Sequence, residues 1–116
     1  MASDEGLTIE QESAIQHALN LQIQATYKLQ SGDSALNTLL NTLRFHMYEL
    51  QKALEDGPTP ASTSVVKTLA EAEAPALRAV EQHIAAQEPQ LDTVAMQAFE
   101  SLLGAFRAQG EVVSQL

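Results

Sequence analysis

The residues of this chain best suited to chemistry are three histidines, His17, His46 and His83. A neutral imidazole ligates metals and moves protons near neutral pH, so what matters is which partners the spacing supplies. A carboxylate-bridged di-iron bundle needs Glu-x-x-His on two helices plus two further inward glutamates. No Glu-x-x-His occurs here, nor His-x-x-x-His or His-Glu-x-x-His, and the nearest local pair runs the other way, from His46 to Glu49. The expectation is no metal and no cofactor. A phosphocarrier histidine needs an exposed mid-helix position with basic and small neighbours. His17 has Gln16, Ala18 and Asn20 around it, with no positive charge, while His46 follows Arg44 but is crowded by Phe45, Met47 and Tyr48.

Nucleophiles and phosphate cradles are no better provided. Gly-x-Ser-x-Gly is missing, and the 5 glycines are scattered rather than gathered in a loop. Ser34, Ser62 and Ser64 fall where helices should start, which is a capping role. Glu71 and Glu73 are two residues apart and so point to different faces of a helix. There is no cysteine, which removes thiolate nucleophiles, disulfides and cysteine-based zinc sites. No catalytic residues are expected, and the protein reads as non-enzymatic.

The elements that would position these groups follow from composition and periodicity. A length of 116 residues fits one domain, and aromatics at 4% with no Trp leave the core to Leu, Ala, Val and Ile. The net charge is −9, from 15 acidic and 6 basic residues, with Lys28, Arg44, Lys52, Lys67, Arg78 and Arg107 spread singly. Nucleic-acid backbones and anionic membranes call for clustered bases, so neither is an expected partner. No stretch is long and apolar enough to cross a bilayer. The opening MASDEGLTIEQE is acidic and polar, the reverse of a signal peptide, and with the missing cysteines it leads to an expected cytoplasmic location.

Residues 1–7 read as a disordered polar lead and 8–116 as a single helical domain. Thr8 with Gln11 forms a capping box opening a first helix over 8–30, with Ile15, Ala18, Leu19, Ile23 and Leu29 on its apolar face. Gln16, Gln22, Gln24 and Gln30 suit solvated helix, or a helix beside another chain. A second helix over 34–55 has the clearest period, Leu36, Leu39, Leu40, Leu43, Met47, Leu50 and Leu54. After Asp56-Gly57-Pro58, the pair Thr59-Pro60 marks the start of a third helix reaching about residue 87. Glu88-Pro89 marks a fourth over roughly 89–114. No strand alternation appears. The expected fold is all-α, an antiparallel four-helix bundle built from two helical hairpins, with the third helix kinked near Pro75.

Pro75 sits inside the third helix, where it removes a hydrogen bond and crowds the preceding turn. The helix is expected to kink near Ala74 or to split into 60–73 and 76–87. Glu73 falls on the apolar stripe one turn from Leu69 and Leu77, where an unpaired carboxylate is costly. The plain expectation is a kink with Glu73 solvated or paired. The sharper one makes the kink a groove wall and Glu73 a recognition residue.

Apolar residues remain outside the stripes. Phe45 points away from the leucines of the second helix, Tyr48 lies beyond their edge, and Met96 and Leu103 widen the apolar arc of the fourth helix beside Phe99 and Phe106. Aromatic residues and methionine in such places are enriched at interfaces. The function expected from the sequence is therefore a protein-interaction module of adaptor, chaperone or inhibitor type. It would bind a protein partner or a second copy of itself, as a homodimer, through Phe45, Tyr48, Arg44, Met96 and Leu103. The alternatives are a histidine- or metal-dependent helical-bundle enzyme or phosphocarrier, and a carrier holding an apolar ligand inside the bundle.

Overall fold

In each of four helices, one seam of residues recurs at alternating steps of four and three, and those seams meet in a common core. The computed structural model describes residues 7–29, 34–55, 63–87 and 92–116. They form α1 (Ile9–Leu29), α2 (Ser34–Glu55), α3 (Thr63–Gln87) and α4 (Thr93–Val113), with no strand among the described residues. The overall dimensions, 54 × 20 × 20 Å, fit four helices packed two by two.

The seam of α2 is apolar throughout: Leu36, Leu40, Leu43, Met47, Leu50 and Leu54 are all buried. Each fully buried leucine contributes roughly 1.5–3 kcal/mol of hydrophobic stabilisation. The seam of α3 repeats the spacing with Val66, Ala70, Glu73, Leu77, Val80 and Ile84. α1 follows with Ile15, Leu19, Gln22, Thr26 and Leu29, and α4 with Ala98, Leu102, Ala105 and Gln109. The chain is thus an antiparallel four-helix bundle of two hairpins. Along the α1–α2 seam, Asn20 meets Gln51 and Tyr27 meets Tyr48, so position rises on one helix as it falls on the other.

The packing is uneven. The most extensive contacts join α1 to α4 and α2 to α3, while α1–α2 and α3–α4 touch less. Small residues explain the first pair, since Ala18 and Ala25 on α1 and Ala98 and Ala105 on α4 are buried at seven-residue intervals. Short side chains let the two backbones approach. Among the described residues, the backbones of α2 and α4 nowhere come within 8 Å of each other, which makes the two helices diagonal.

The start of α1 is the capping box expected from the sequence. Thr8 N–H donates to Gln11 Oε1 at 2.9 Å, and Gln11 N–H donates to Thr8 Oγ1 at 3.1 Å. Of the expected lead, 1–6 lie outside the described residues, and Leu7 is buried against the core. The start signals at Thr59-Pro60 and Glu88-Pro89 also lie outside them. The described part of α4 begins later than expected, because Asp92 caps it by accepting from Ala95 N–H at 2.8 Å. α3 runs unbroken through Pro75 instead of splitting into 60–73 and 76–87. Pro75 and Glu71 are both exposed, so water can satisfy the Glu71 carbonyl that lacks a proline N–H. Buried residues on either side, Ala70 and Leu77, keep both halves of α3 in the core.

Candidate functional site

Two constellations stand out, one at the surface of α2 and one at the centre of the bundle. At the surface, Phe45 follows the buried residues Leu43 and Arg44 and so turns outward. It is 60% exposed, and its ring meets His46 edge to face, with centroids 5.5 Å apart. Tyr48, one turn on, is 43% exposed. Its hydroxyl is hydrogen-bonded at 3.0 Å to that of Tyr27 on α1. That bond and burial hold the Tyr48 phenol above its usual range, while Arg44 acts in the opposite direction.

Arg44 was expected on this surface but is buried. Its Cζ lies 4.3 Å from the centre of the Tyr27 ring, a cation–π contact, and its Nη2 donates to Asn41 Oδ1 at 2.5 Å. A long aliphatic stem lets arginine sit against apolar neighbours, so Arg44 supports Tyr27 from behind and offers no surface of its own. Met96 and Leu103 are half-buried, and Leu103 packs against the core with Phe99 and Phe106. Because α4 is diagonal to α2, the bundle does not bring Met96 and Leu103 to the face of Phe45 and Tyr48.

At the centre, three helices exchange hydrogen bonds. Gln22 Nε2 on α1 donates to Gln109 Oε1 on α4 at 2.7 Å, and Gln109 Nε2 donates to Glu73 Oε1 on α3 at 3.0 Å. Glu73 and Gln22 have no exposed surface, and Gln109 is 1% exposed. Glu73 Oε2 and Gln22 Oε1 lack hydrogen-bond partners. The carboxyl is pushed up to about 7: burial disfavours the charged form, and the Gln109 bond offsets part of that. Glu73 is therefore paired, as one expectation had it, but it is turned inward and shielded from solvent. Gln22, expected on a solvated face or beside another chain, is a core residue of this chain. Gln109 escaped notice in the sequence, although it continues the four-and-three spacing of Ala98, Leu102 and Ala105.

Two grooves run along the outside. One, between α3 and α4, has a volume of about 480 Å³ and is lined by Leu77, Leu103, Phe106 and Gly110 with Arg78 and Arg107. The other, between α1 and α4, measures about 670 Å³ and has small residues on its floor, including Ala98, Gly104 and Ala105. His17 is exposed, and His46 and His83 are half-buried on separate helices. Among the described residues, no three His, Cys, Asp or Glu gather to hold a metal ion, and no helix is long and apolar enough to cross a membrane. Comparison with protein-family models, curated proteins and solved structures returned no match to this chain.

Proposed function

We propose that this bundle is a protein-interaction module that binds its partner through the face of α2 around Phe45 and Tyr48, with Tyr27 of α1 at its edge. The carrying observation is the exposure of Phe45, at 60%, on a helix whose leucine seam already fills the core. Aromatic anchors of this kind dominate binding energy when a partner pocket removes them from water. Tyr27 and Tyr48 extend the surface and are 55% and 43% exposed. Their mutual hydrogen bond and the Arg44 guanidinium behind Tyr27 hold them in place before binding, which lowers the entropy lost on docking. The partner is a protein offering an apolar pocket for one phenyl ring and hydrogen-bonding groups for two phenols.

A photo-crosslinking amino acid at position 45, expressed in the native host, tests this. A discrete adduct is expected at 45 and not at exposed Glu100 on the diagonal helix α4. Phe45→Asp should remove partner binding while leaving the helical signal unchanged. Light scattering on the purified protein identifies the case in which the partner is a second copy. Equal labelling from positions 45 and 100, or unchanged binding by Phe45→Asp, would overturn the reading.

A further inference from the structure

An ionisable group buried at the meeting point of three helices ties protonation to the packing of those helices. We infer that Glu73 is a proton-operated latch on the α3–α4 seam, closed when the carboxyl carries its proton and released when the proton leaves for solvent. Glu73 occupies a core position of α3, with Val66 and Ala70 before it and Leu77, Val80 and Ile84 after it. Its one hydrogen bond crosses to Gln109 on α4, over one of the two less closely packed seams. Oε2 has no donor, so an ionised Glu73 would hold a charge in the core with a single neutral hydrogen bond for compensation. A protonated Glu73 avoids that cost.

No charge nearby relieves the group. From α4 it faces Gln109, on a seam otherwise made of Ala98, Leu102 and Ala105, and from α1 the chain ends at Gln22. The α2 seam is leucine and methionine. The buried arginine beside it, Arg44, has its guanidinium on Asn41 and Tyr27, and its Nη1 is without a partner just as Glu73 Oε2 is. Of the other charged groups, Arg78 and Glu81 on α3 and Arg107 and Glu111 on α4 line the outer groove, and Glu71 on α3 and Glu100 on α4 are exposed. That groove also contains Ala74 and Leu77, which flank Glu73 in sequence, and Phe106 and Gly110, which flank Gln109. Gly110 leaves open space where a side chain would stand. In the proposed latch, the proton leaves towards this groove, although neither Glu73 nor Gln109 lines it in the closed state.

The glutamines let the chain serve both states. With Glu73 ionised, the bonds run from Gln22 through Gln109 to the carboxylate. With Glu73 protonated, its O–H donates to Gln109 Oε1 and Gln109 Nε2 donates to Gln22 Oε1, once both amides have turned over. The oxygen and nitrogen of each amide exchange places, so Gln22 Oε1 gains a donor while Gln22 Nε2 takes over the unpartnered position. Either state leaves one end of the Gln22 amide unpartnered, so the difference between the two states lies in the Glu73 charge.

Hydrogen exchange of the full chain, corrected for the intrinsic rate, provides the test. Between about pH 5 and about pH 8, amide protection in α3 and α4 should fall by about tenfold or more, the equivalent of at least one unit of perturbed titration. Glu73→Gln, permanently neutral and still able to accept from Gln109, should show less than about a twofold change. Equal pH dependence in both proteins overturns the latch. Should Glu73→Gln fail to fold, carboxyl carbon-13 titration of the wild-type protein decides. A Glu73 midpoint near neutrality, accompanied by shifts in Gln22 and Gln109 amide signals, supports the latch, and a midpoint in the ordinary carboxylate range overturns it.

Discussion

Gln109 on α4 donates a hydrogen bond to the Glu73 carboxyl on α3 across 3.0 Å, with both side chains closed off from solvent. The geometry makes stability depend on pH in an unusual direction for an acidic residue. The folded-state value of Glu73, about 7, lies above the ordinary 4.5. The native state thus keeps a proton that the unfolded chain gives up. The stabilisation is fully present below about pH 4.5, declines as pH rises, and is gone above about pH 7. The interval corresponds to about 3 kcal/mol. Urea denaturation across this range should show the decline in the wild-type protein and its absence in Glu73→Gln, and a parallel decline in both would contradict the assignment.

Removing one member of the chain should harm the fold more than removing all three. Gln109→Leu strands Gln22 and Glu73 without their shared partner, at a cost of about 2–4 kcal/mol. Replacing Gln22, Glu73 and Gln109 together by leucine or methionine leaves no polar group to satisfy. The triple variant should be more stable than Gln109→Leu in chemical denaturation. If the single variant is the more stable of the two, the three side chains do not act as a unit.

The tyrosine pair has its own signature. The Tyr27 hydroxyl is the main reason the Tyr48 phenol is raised. Tyr27→Phe should move the Tyr48 ionisation downward towards 10, its ordinary value, in an ultraviolet titration of phenolate. An unmoved midpoint would mean that the hydroxyls do not pair in solution.

Two glycines lie inside α4. A methyl group at Gly104 or Gly110 meets nothing within 4 Å. Alanine at either site should raise stability by about 0.5–1 kcal/mol, because glycine loses more backbone freedom on entering a helix. Thermal melts of Gly104→Ala and Gly110→Ala would register this as a higher midpoint. A lower midpoint at Gly104 would indicate that the α1–α4 groove closes further in solution.

Much of the scaffold was legible because its leucines are. α2 displays its seam in one residue type, and the capping box at Thr8 and Gln11 is local chemistry that no tertiary contact overrides. The centre was hidden by a habit of reading polarity as exposure. On α1 the apparent stripe passed from Leu19 to Ile23, whereas the buried seam continues through Gln22 and Thr26. Thr26 is accommodated because its hydroxyl donates to the Ile23 carbonyl one turn back. Holding the spacing constant regardless of residue type would have found Gln22, Glu73 and Gln109 together. Arg44 was misplaced for the same reason, and only the position of the Tyr27 ring reveals where its guanidinium goes. The start of α4 was read from Glu88-Pro89, and the cap at Asp92 was passed over although aspartate is among the strongest N-cap residues.

The wholly apolar seam of α2 has a consequence for how that helix finds its alignment. A slide of one heptad would put Leu43 where Leu36 lay and Met47 where Leu40 lay, stranding nothing polar. Polar matching therefore does not oppose such a slip in α2, although leucines at one end would leave the core, whereas the amides and carboxyl of α1, α3 and α4 must meet. Polar contacts that do favour the correct docking lie on the flank facing α1, where Arg44 settles on Tyr27, Tyr48 meets the same phenol, and Gln51 donates to Asn20. Erasing those three contacts at once should yield a helix that still binds tightly but no longer in one place.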